Sequence, residues 1–103
     1  MSYRRLKGRD VLWSTAVEKW GFELQLMTTA EELLELATEI IRFTHRPWRS
    51  NPKDLALEVA QVHLMLAQFD YAMEEHDSAW IFRVDKQIQN EIENLEKKLG
   101  LVK

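Results

Sequence analysis

The sequence predicts an all-α domain, an antiparallel helical bundle of about four helices. Three observations carry this. Only 3 glycines and 2 prolines occur in 103 residues, so the chain has few places to turn. Leu, Glu, Ala, Lys and Gln, all good helix formers, are plentiful. Apolar residues recur at steps of three and four through most of the chain, which is the period of a helix with one buried face.

The elements follow in order. Asp10 is placed to cap a first helix carrying Val11, Leu12, Ala16, Val17 and Trp20, and Gly21 is the first residue suited to end or kink it. From Phe22 the apolar positions Leu24, Leu26, Met27, Ala30, Leu33, Leu34, Ala37, Ile40, Ile41 and Phe43 predict a long second helix. It fades near His45 and Arg46, before Pro47, because the residue preceding a proline disfavours helix. Asn51 as cap, Pro52 at the first helical position and Asp54 three residues after the cap predict the start of a third helix, running to about Glu75. Its apolar set is so broad that a central position is expected. Asp77 or Ser78 is expected to cap a last helix whose stripe, Ile81, Val84, Ile88, Ile92, Leu95 and Leu99, is narrow and coiled-coil-like, and Gly100 closes it. No repeat, low-complexity segment or linker interrupts residues 1–103, which read as a single domain.

Composition narrows the function classes. A formal net charge of -3 gives no long-range field for nucleic acid or a membrane surface. No segment has the length of a membrane span, and the basic N-terminus has no apolar stretch after it, so a soluble, unprocessed, cytoplasmic protein is expected. Without cysteine there is no disulfide framework, thiolate metal site or cysteine nucleophile. The three histidines form no Glu-x-x-His arrangement, which argues against a di-iron carboxylate bundle.

The glutamates are the informative residues. In "TTAEELLELATEIIRF" (28–43), Glu32 and Glu35 lie about 60° apart on a helix, whereas Glu31 points about 100° from Glu32. In "LALEVAQVHLML", Glu58 and Gln61 interrupt an apolar run with the same i, i+3 spacing. If the two helices are antiparallel neighbours, four oxygen-bearing side chains converge, and crowded carboxylates call for a hard cation such as Mg²⁺ or Mn²⁺. The rival reading is a helix's solvated face, since glutamate is an ordinary helix former.

The segments "VEKWGFELQLMTTAEELLELATEIIRF" and "DLALEVAQVHLMLAQF" together resemble the MazG-like family of all-α nucleoside triphosphate pyrophosphohydrolases, especially its short single-domain, phage-type members. That family's signature is EExxE followed, after a gap, by ExxD. Here the matching residues are Glu31, Glu32 and Glu35, then Glu58, with Gln61 where the family has aspartate. The resemblance implies that Glu32, Glu35 and Glu58 hold Mg²⁺ (or Mn²⁺), with Gln61 as a neutral fourth ligand and Glu31 as a further ligand or water-orienting group. It implies a nucleoside triphosphate as substrate, cut to a monophosphate and pyrophosphate in a house-cleaning role. Gln25, Lys86 and Asn90 correspond to residues that touch substrate, although a plain polar face also accounts for each. Arg42, Arg46, Arg49 and Lys53 flank the loop as phosphate partners or solvated helix ends, and Trp20 is expected at an interface. A homodimer or homotetramer is implied too. Because glutamine carries no charge and cannot act as a base, a catalytically impaired nucleotide-binding or regulatory protein is the alternative.

Overall fold

The computed structural model describes residues 10–46, 48 and 51–101, and among these it is helical with no strand. Four helices follow in order: α1 (Asp10–Trp20), α2 (Phe22–His45), α3 (Pro52–His76) and α4 (Trp80–Lys98). None is long and apolar enough to cross a membrane. The chain divides into two compact units with the boundary inside α3, between Ala72 and Met73.

In the first unit, Gly21 joins α1 to α2. Its φ of 81° lies in the left-handed region that an L side chain rarely adopts. Its N–H donates to the Val17 carbonyl at 2.7 Å, closing α1, and its own carbonyl accepts from the Gln25 N–H at 3.1 Å, opening α2. One residue thus ends one helix and begins the next. At the far end of α2 the Arg46 N–H still reaches the Arg42 carbonyl at 2.8 Å, after which φ of -139° takes the chain out of the helix. Pro47 lies outside the described residues. The expected start of α3 is present: the Asn51 side-chain oxygen accepts from the Lys53 N–H at 2.9 Å, while the Asn51 carbonyl accepts from Leu55 at 3.1 Å.

The core of this unit is small. Among the described residues Trp13, Ala16, Val17, Val62, Ala67 and Ala72 are its buried apolar side chains, and Trp13, only 3% exposed, is the largest of them. The broad apolar set expected of α3 is mostly half-buried, whereas Leu57, Val59 and Leu64 are exposed. α2 departs further from a simple amphipathic reading. Its buried residues are Gln25 and Thr29, while Leu24, Met27, Leu33, Leu34, Ile40 and Ile41 are exposed.

In the second unit α4 begins later than the capping residues suggest. Asp77 does not cap the helix directly: one carboxylate oxygen accepts from the Ala79 N–H at 3.0 Å and the other from Arg83 Nε at 2.7 Å. The first bond closes a side-chain turn two residues long, so residues 77–79 are spent on the turn and the helix starts at Trp80. Ser78 makes no cap either, the residue flanking the helix being Ala79. These bonds to the charged form hold the Asp77 carboxyl below its ordinary value. At the other end, Gly100 with φ of 71° donates to the Lys97 carbonyl at 3.1 Å and Leu101 donates to Glu96 at 2.9 Å, the paired bonds of a Schellman motif.

With so few buried side chains, Trp13 anchors α1. Trp13→Ala is expected to cost about 3–5 kcal/mol, a large share of the stability of a chain this size, read as a lower urea midpoint.

Candidate metal and phosphate site

α2 and α3 meet through their glutamates. Glu32 and Glu35 come from one side of α2, three residues apart, and Glu58 comes from the second turn of α3. One carboxylate oxygen from each lies within 4.8 Å of the others. That separation suits oxygens sharing one hard cation.

Burial sharpens the problem that these charges pose. Glu32 and Glu58 are half-buried and Glu35 is exposed. One oxygen of Glu32 and one of Glu58 are shut off from water with no hydrogen-bond donor. A buried carboxylate oxygen without a donor is unfavourable in its charged form. Accordingly the Glu32 carboxyl is raised above its ordinary value of 4.5, first by burial and then by the repulsion of Glu35, Glu58 and Glu31. The donor set is all oxygen and mostly anionic, so it fits Mg²⁺ or Mn²⁺ and does not suit a soft metal.

Beside the cluster a groove of about 320 Å³ is lined by Leu34, Glu35, Thr38, Glu39 and Glu58. Glu39 binds Arg42 at 2.5 Å, so one positive charge lies a turn beyond the groove, held in an ion pair along α2. Thr38 gives its hydroxyl proton to the Leu34 carbonyl at 2.9 Å. Glu39 is the site residue that sequence reasoning passed over. Its signal was present, since 32, 35 and 39 recur at helical spacing.

The other expected site residues fall in different places. Glu31 is exposed and lies outside the group of three, acting on Glu32 through its charge alone. Gln61 is half-buried one turn after Glu58. Gln25, only 2% exposed, donates from Nε2 to the Ala16 carbonyl at 3.5 Å, tying α2 to α1, while its side-chain oxygen has no partner. Lys86 and Asn90 are exposed on α4, in the second unit. Of the loop cations, Arg46 and Lys53 are exposed and Arg49 lies outside the described residues. Trp20 is exposed beneath the Lys19 ammonium, 5.6 Å from the ring centre. Comparison of the chain with protein-family models, with curated proteins and with solved structures gives no match.

Two outcomes follow from the crowding. A group with a raised folded-state pKa favours the fold below its unfolded value and loses that contribution as pH rises through the folded one. In chelator at pH 7, Glu32→Gln is therefore expected to melt above wild type, with the gap closing as pH falls toward 4.5. A variant less stable than wild type at pH 7 would show that the carboxylate is held by donors. Conversely, millimolar Mg²⁺ or Mn²⁺ should raise the wild-type melting temperature, by an amount equivalent to about 2.7 kcal/mol at 100 times the dissociation constant. Glu58→Gln should lose most of that gain.

Proposed function

We propose that the protein is a Mg²⁺-dependent nucleoside triphosphate pyrophosphohydrolase of MazG-like type. The observation that carries this reading is the meeting of Glu32, Glu35 and Glu58 with two of their oxygens buried and undonated. The resemblance of Glu31, Glu32, Glu35 and Glu58 to the family's EExxE and ExxD signature supports it. Glu32, Glu35 and Glu58 hold the cation, with Gln61 adding an amide oxygen from the next turn of α3. When bound, Mg²⁺ supplies positive charge that draws in a triphosphate and offsets the charge developing at phosphorus. Glu31 orients the attacking water from the exposed side of α2. Attack on the α-phosphorus forms a P–O bond and breaks the bridge to the β-phosphate, giving a monophosphate and pyrophosphate. The groove sits at the small end of ligand pockets, which run from about 300 Å³ upward, and gives room for a phosphate chain beside Glu35 and Glu58.

Gln61 favours a second reading. A neutral amide lowers the charge available to a cation and cannot take a proton, so a nucleotide-binding protein with reduced turnover also fits these residues.

Release of monophosphate and pyrophosphate from a panel of ribo- and deoxyribonucleoside triphosphates separates the two. Wild-type turnover is expected, with Glu58→Gln reducing it by at least about 100-fold, since even outer partners of metal ligands cost up to that much. Gln61→Asp is expected to raise it. An inactive wild type with an active Gln61→Asp would establish the second reading, and no activity in any of the three would end both catalytic readings.

A further inference from the structure

The groove beside the carboxylate cluster has no donor to offer a phosphate. Of its lining residues Glu35, Glu39 and Glu58 are carboxylates, Leu34 is apolar, and Thr38 gives its hydroxyl proton to the Leu34 carbonyl at 2.9 Å. A phosphate chain anchored at one end by a cation on Glu32, Glu35 and Glu58 needs a charged donor at the other. Arg42 is placed to supply it. On α2, Glu35, Glu39 and Arg42 fall within about 60° of one another, and Arg42 stands about 10 Å along the axis from Glu35. Helical side chains lean toward the N-terminus, which aims Arg42 back at the groove, and its Nη1 reaches the Glu39 carboxylate at 2.5 Å. Resting on the nucleotide reading above, we propose that Arg42 binds the pyrophosphate portion of the substrate, and that Glu39 holds it beside the groove until a phosphate takes the place of Glu39.

The other cations near the loop are placed differently. Lys53 is exposed and lies about 140° around α3 from Glu58, and Arg46 has left the helix, with φ of -139°. The exchange of partners also costs little. The Arg42 and Glu39 side chains are 50% and 22% exposed, and an ion pair three residues apart on a wet helix face adds little net stability. A phosphate offers the guanidinium two parallel charge-assisted hydrogen bonds in its place.

This arrangement selects for phosphate length. A cation at the three glutamates and a guanidinium two turns along α2 are bridged by a chain of phosphates, so a triphosphate engages both and a single phosphate only one.

Calorimetric titration of the full chain in excess Mg²⁺, with inorganic triphosphate and orthophosphate as probes, tests the assignment. Wild type should bind triphosphate the more tightly. Arg42→Gln should weaken triphosphate at least about 10-fold, leave orthophosphate unchanged and keep wild-type helicity by circular dichroism, while Arg42→Lys recovers part of the loss. Glu39→Gln removes the competitor and should tighten triphosphate by up to about 5-fold. Equal weakening of both anions by Arg42→Gln, or of neither, would overturn the assignment, as would weaker triphosphate binding in Glu39→Gln. Loss of helicity in Arg42→Gln would give Arg42 a structural part and overturn it as well. If Glu58→Gln abolishes triphosphate binding and Arg42→Gln leaves it unaltered, the nucleotide reading stands and the role of Arg42 falls. A wild type that binds neither anion removes both.

Discussion

The first unit is organised around an electrostatic constraint. Three carboxylates meet where α2 faces α3, and two of their oxygens have neither water nor a donor. Burial and the neighbouring carboxylates disfavour the charged form of Glu32, whose carboxyl is raised above its ordinary value. The meeting of these carboxylates therefore carries an electrostatic cost. Arg42, one turn beyond Glu39 on α2, is engaged by Glu39.

The sheltered side of α2 holds Gln25, Thr29, Glu32, Leu36 and Glu39 at helical spacing, and the polar needs of that row are met only in part, one side-chain oxygen of Gln25 and one of Glu32 having no donor. Thr29 donates to the Gln25 carbonyl at 2.7 Å and Gln25 donates to Ala16. A helix has only so much circumference, so with this row sheltered Leu24, Leu33, Leu34, Ile40 and Ile41 are left outward while Leu26 and Leu36 stay half-buried. The exposed apolar seam and the carboxylate cluster are two consequences of one rotation of α2.

Glycine and asparagine set the frame within which this rotation is fixed. Gly21 needs positive φ and nothing crowds the space where a side chain would stand, so its role is conformational. It lets α1 end and α2 begin within a single residue, and Gln25 of α2 reaches back to the Ala16 carbonyl of α1. Asn51 starts α3 early enough for Glu58 to come beside Glu32 and Glu35.

The sequence by itself determined the helices and most of their ends, because caps, glycines and i, i+3 spacing act locally. Gly21, Asn51 and Gly100 behave as their chemistry requires, and the pairing of Glu32 with Glu35 follows from helix geometry alone. It did not determine the start of α4, where Asp77 divides its two oxygens between a turn and Arg83. Nor did it determine which side of α2 is sheltered. Periodicity shows that an apolar seam exists but not whether a neighbour covers it, and the apolar positions of α2 read most naturally as core. Only the tertiary structure placed Glu58 against the α2 glutamates, because that meeting joins residues distant along the chain. Burial of Gln25 and Thr29 in place of Leu34 and Ile41 was likewise decided there, by the side of α2 on which α1 and the carboxylates of α3 come to lie.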